Sequence, residues 1–89
     1  EADRYGLVSR VVPDDRLIDE ALALGAAIGA YSLPALMAIK ESVNRAFEGT
    51  LSEGILFERR ALYARFASAD AQEGMNAFLA RRAPVFQHR

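Results

Sequence analysis

The side chains able to do chemistry are few in this 89-residue chain. His88 is the only histidine, and it stands next to the last residue. A nucleophile–histidine pair or a metal site would have to be built on it, and a solvated tail is the simpler reading. Glu53, Glu58 and Glu73 are the carboxylates nearest apolar sequence. Glu53 fits a helix cap, and Glu58 has arginines a turn away with which to pair. A general-acid role would require a buried, proton-holding carboxyl, and nothing in the spacing demands one. No glycine-rich phosphate loop is present. Lys40 and Asn44 fall inside an apolar stripe, as a snorkelling lysine and a backbone-bonded asparagine or as polar contacts to a subunit or ligand. Arg59 and Arg60 suit a structural or interface role. Arg81, Arg82 and Arg89 form a basic cluster with His88. They complement a helix end, or they present guanidinium forks to a phosphate. Tyr63 and Phe66 are core or interface aromatics which, if partly exposed, can line a pocket for an acyl chain or an adenine ring.

The elements that must position these groups are mainly helical. The composition is 52% hydrophobic and dominated by helix formers, with a net charge of −1. That charge draws in neither nucleic acid nor an anionic membrane. There is no cysteine, so disulfides and thiolate metal sites are excluded and a reducing, cytoplasmic setting is expected. No apolar run reaches the ~18–20 residues of a membrane span.

Residues 1–5 read as a last helical turn, with Gly6 as its left-handed cap. Leu7-Val8-Ser9-Arg10-Val11-Val12 is β-branched and bounded by Gly6 and Pro13, and reads as one short strand. Asp14 and Asp15 are placed to cap a first helix, with Leu17, Ala21, Leu24 and Ile28 on one face. Ser32 starts a second helix that runs to about Phe47 and Gly49. Thr50-Leu51-Ser52-Glu53 is a capping box for a third helix reaching Phe66. Its main stripe is Leu51, Ile55, Leu56, Leu62, Tyr63 and Phe66, with Phe57, Gly54, Ala61 and Ala64 opposite. Two apolar faces require two packing partners. Ser68 caps a fourth helix, with Asp70 and Glu73 near its positive end and Pro84 as its stop. The fold class is mainly α, three to four helices after one short strand.

Four ordered segments carry a family resemblance. They are Ala2-Asp3-Arg4-Tyr5-Gly6-Leu7-Val8-Ser9-Arg10-Val11-Val12-Pro13 and Lys40-Glu41-Ser42-Val43-Asn44-Arg45-Ala46-Phe47-Glu48. The others are the run from Ser52 to Arg60 with Phe66-Ala67, and the run from Asp70 through Glu73-Gly74-Met75-Asn76-Ala77-Phe78 to Arg89. Together they resemble the carboxyl-terminal segment of the enoyl-CoA hydratases of the crotonase family, and the missing initiator methionine agrees with a fragment.

The resemblance implies that residues 1–13 end the α/β crotonase core and that residues 14–89 form a helical oligomerisation region. It implies a parent that adds water to trans-2-enoyl-CoA, giving 3-hydroxyacyl-CoA, as in fatty-acid β-oxidation. Catalytic groups would lie upstream, with none in this chain, and no metal or cofactor beyond the CoA of the substrate would be needed. Partners implied are an acyl-CoA thioester and further copies of the subunit in a trimer or dimer of trimers. Leu62, Tyr63 and Phe66 would fall at the CoA pocket. Arg81 would approach the 3′-phosphate of CoA, where the family commonly has lysine. An isomerase of the same family, or a stand-alone helical oligomerisation module, would fit the same residues.

Overall fold

Residues 1–89 are all described by the computed structural model. The first turn closes as expected. The Gly6 amide donates to the Asp3 carbonyl and the Leu7 amide to the Ala2 carbonyl, with Gly6 at φ +79°. This is a Schellman closure, and the positive φ is what glycine supplies at no steric cost.

The expected strand at Leu7–Val12 is not formed. The segment is irregular, and Leu7 and Val11 are largely exposed. β-branched residues favour extended backbone, but a strand exists only when a neighbour completes its hydrogen-bond ladder. No other segment of this chain is extended beside it.

Helix α1 spans Leu17–Gly29, after a single 3₁₀ turn at Asp14–Arg16. Asp14 and Asp15 lie inside that turn, behind Pro13, and neither side chain bonds a helix amide. Their contribution is negative charge at the positive helix end. Arg16 and Arg10 both reach Glu20, at 3.1 and 3.3 Å, tying the linker to α1.

Helix α2 spans Leu33–Arg45 and α3 spans Leu51–Phe66. The chain turns by 106° between Asp14–Gly29 and α2. The capping box before α3 is complete: the Glu53 amide donates to Thr50 Oγ1 and the Thr50 amide to Glu53 Oε2, both at 3.2 Å. Helix α4 spans Ala69–Ala80, with Ser68 Oγ accepting from the Ala71 amide.

The face of α3 that packs is not the larger stripe. Gly54, Phe57, Ala61 and Arg65 are partly covered, whereas Leu51, Ile55, Leu56, Leu62, Tyr63 and Phe66 are exposed. Small residues on one face let α2 and α3 approach as an antiparallel hairpin. The Arg45 guanidinium then sits 4.7 Å from the Phe57 ring centre, over its face. Of the two partners required by the two faces of α3, the chain itself supplies one.

Only Ser32, Asp70 and Ala77 are buried. The radius of gyration is 16.5 Å, against about 12 Å for a compact chain of this length. Helices have formed, but most of their apolar stripes face outward, so there is no closed hydrophobic core.

Candidate functional site

Two of the three buried residues, Ser32 and Asp70, are polar. Asp70, in the first turn of α4, is 3% exposed. Its Oδ2 accepts from Ser32 Oγ at 2.6 Å and from the Arg89 amide at 3.1 Å, and its Oδ1 accepts from the Gln87 amide at 2.7 Å. The Asp70 amide in turn donates to the Arg89 carbonyl at 2.8 Å. Burial pushes this carboxyl up, but the Ser32 hydroxyl and the Gln87, Arg89 and His88 amides outweigh it and hold it below the usual carboxylate range.

One turn along α4, Glu73 receives the Arg82 guanidinium at 2.5 and 3.1 Å and the Val85 amide at 3.1 Å. The bidentate Arg82 contact, aided by the Val85 amide, lowers its carboxyl to about 2. Glu73 raises Arg82 in return. Both carboxylates therefore favour the ionised form, each accepting three hydrogen bonds from the protein. Neither is suited to give up or take a proton near neutrality.

Ser32 stands at the N-terminus of α2 as expected, but its hydroxyl turns away to Asp70 and caps no amide of its own helix. The replacement cap is His88. Its Nδ1 accepts from the Leu33 amide at 3.0 Å, and its backbone is left-handed at φ 61°. The lone histidine is thus not a free tail group but an end-cap brought from 55 residues away. Neither role could be read from spacing. Asp70 reads locally as a helix-dipole residue, and only the return of the tail reveals what it binds.

The four residues expected at a ligand pocket fall in two places. Leu62, Tyr63 and Phe66 are all exposed on α3, with Phe66 four residues after Leu62 and three after Tyr63, the spacings that share a helix face. Leu62 also edges a groove of about 550 Å³ between α2 and α3, lined by Ile39, Val43, Ala61, Glu58 and Arg65. Tyr63 and Phe66 lie outside that groove. Arg81 is exposed at the C-cap of α4, left-handed at φ 54°, in a turn closed by the Arg82 amide on the Ala77 carbonyl at 3.0 Å. No hydrogen bond or ion pair engages its side chain. No direct polar contact joins it to the α3 face.

Other candidates resolve simply. Lys40, Asn44, Arg59 and Arg60 are exposed, and none enters an ion pair within the chain. Glu58 lines the groove without pairing to an arginine. No group of histidine, aspartate or glutamate side chains is arranged to hold a metal ion. No helix is long and apolar enough to cross a membrane alone.

Comparison with known proteins adds the family. The model for the enoyl-CoA hydratase/isomerase family matches residues 1–89. A probable enoyl-CoA hydratase of Rhizobium meliloti (strain 1021) is 55% identical over all 89 residues. So is one from Mycobacterium bovis. The chain spans 35% of the length of each. Among solved structures, the enoyl-CoA hydratase subunit I of Geobacillus kaustophilus HTA426 superposes with a TM-score of 0.91 at 42% identity, covering 99% of this chain and 34% of that one. With one family matching from the first residue to the last, and its solved fold shared by these helices, this chain belongs to the enoyl-CoA hydratase/isomerase family.

Proposed function

We propose that this chain is the carboxyl-terminal part of an enoyl-CoA hydratase. The whole enzyme adds water across the double bond of trans-2-enoyl-CoA to give the 3-hydroxyacyl-CoA. The observation that carries this reading is the 55% identity over every residue to proteins named as probable enoyl-CoA hydratases. The site chemistry is in accord with it. Hydration of a thioester-conjugated alkene requires a carboxylate that activates water, an acid that protonates carbon, and donors for the developing enolate oxygen. Asp70 and Glu73 are held ionised by three hydrogen bonds each, and Glu53 is occupied by its capping box. These acids are structural, and the reactive groups lie in sequence preceding this segment.

The contribution of the segment is assembly and enclosure. Its exposed α1 and α3 stripes pack against the rest of the subunit and against further copies in a trimer. Leu62, Tyr63 and Phe66 wall the CoA pocket, and Arg81 reaches the 3′-phosphate of CoA as a charged fork. The unpaired, exposed Arg81 and the exposed Leu62, Tyr63 and Phe66 on α3 support this assignment.

Crotonyl-CoA hydration separates the alternatives. The isolated 89-residue chain should show no turnover, and the same chain joined to its upstream sequence should be active. Turnover by the isolated chain would end the reading that catalysis lies upstream. The family description also includes isomerases. Migration of a double bond in a 3-enoyl-CoA without hydration, by the full-length protein, would favour that second reaction.

A further inference from the structure

The segment from Val85 to Arg89 has no secondary structure, yet it is bonded in a regular way. The amides of Val85, Gln87 and Arg89, every second residue, all donate to carboxylates of α4: Val85 to Glu73, and Gln87 and Arg89 to Asp70. From Val85 to Gln87 the alternate amides point to one side, as in extended backbone, and the left-handed turn at His88, φ 61°, brings the Arg89 amide back to the carboxylate that already holds Gln87. Residues three apart on a helix project from one face. Asp70 and Glu73 therefore act together as one row of acceptors for the tail, and Arg89 completes a two-way pair by accepting from the Asp70 amide. The side chains of the intervening residues reach other partners. The Phe86 ring lies against Gly74, where an added Cβ would stand 3.7 Å from it, and His88 reaches Leu33 at the start of α2.

Two polar contacts tie the start of α2 to α4 and the tail. Ser32 binds Asp70 directly, and His88 binds Leu33. Every partner of these bonds is Asp70, a residue that Asp70 holds, or the neighbour of one. We propose that Val85–Arg89 is a strap seated on the Asp70/Glu73 pair, and that Asp70 thereby couples α4 to the N-terminus of α2. In this arrangement the bond that caps the Leu33 amide depends on Asp70, to which that amide is not itself bonded. Releasing Gln87 and Arg89 from Asp70 frees His88 and uncaps Leu33.

Amide-resolved hydrogen exchange on the intact protein tests this. In Asp70→Asn, which keeps the side-chain size but replaces one acceptor with a donor, exchange at Gln87, Arg89 and Leu33 should speed by about tenfold or more. Val85, held by Glu73, and Glu53, held by the α3 capping box, should be unchanged. His88→Ala should speed Leu33 alone. Glu73→Gln should speed Val85 and leave Leu33 protected. The proposal is overturned if Leu33 keeps its protection in Asp70→Asn or in His88→Ala. It is equally overturned if Asp70→Asn accelerates Glu53 as much as Gln87, because Asp70 would then support the whole fold and not the strap.

Discussion

At the scale of single residues, the ionised state of two carboxylates carries the order of the last quarter of the chain. Glu73 is lowered to about 2, chiefly by the Arg82 fork, and Asp70 is lowered by its hydroxyl and amide donors. A carboxyl whose folded value lies below its unfolded value of roughly 4 contributes stability above that unfolded value. The contribution is lost as pH falls through the folded value. Stability should therefore decline from about pH 4.5 toward about pH 2, as read from denaturant midpoints at each pH. In Glu73→Gln that decline should be shallower, because one of the two linked groups no longer titrates. Arg81 belongs to this scale too. If it meets the 3′-phosphate, Arg81→Ala in the full-length enzyme should raise KM for acyl-CoA by about tenfold with kcat little changed, since the contact is present in ground and transition states alike. A pantetheine thioester lacking that phosphate should show no such change.

Among the helices, the caps decide most. The box at Thr50 and Glu53 is local, so it was legible from four consecutive residues. Thr50→Ala should cost about 1 kcal/mol in chemical denaturation, without altering α4. Gly49 has a different constraint: a Cβ there would stand 2.8 Å from Glu53 Oε2, the atom that accepts from the Thr50 amide. Gly49→Ala should displace that carboxylate and lose part of the same stabilisation. Gly74 behaves oppositely. Its added Cβ would meet the Phe86 ring at 3.7 Å, an ordinary contact, within a helix where glycine costs roughly 1 kcal/mol relative to alanine. Gly74→Ala should raise the unfolding free energy by about 0.5–1 kcal/mol, and a fall would show that α4 requires closer approach at that point.

The whole molecule is an open arrangement of well-made helices. Its accessible surface is 7677 Å², about 2500 Å² more than a compact 9.8 kDa monomer would expose. That excess is the size of an extensive subunit interface. Leu17, Ile18, Leu22 and Ile28 on α1 and Ile55, Leu62 and Phe66 on α3 contribute to it. The isolated chain at micromolar concentration should therefore associate or bind a hydrophobic dye, as sedimentation velocity and fluorescence would report. A compact, dye-silent monomer would contradict the assembly role proposed for these faces.

Much of this was written in the sequence. Helix existence, the Gly6 closure, the Thr50–Glu53 box and the two-faced character of α3 all depend on residues within a turn or two of each other, and local spacing suffices for them. The family, too, was carried by ordered residue types. What the sequence did not determine depends on distance. The β-branched run at Leu7–Val12 has strand propensity but no ladder partner, so propensity alone did not make a strand. Which face of α3 packs was decided by the small residues that let α2 approach, not by the larger apolar stripe. Asp70 and His88 looked like a dipole residue and a solvated tail. Only when the chain returned on itself did one become the buried anchor of three segments and the other the cap of a helix 55 residues away, because hydrogen bonds of that kind are specified by the fold and leave no pattern along the chain.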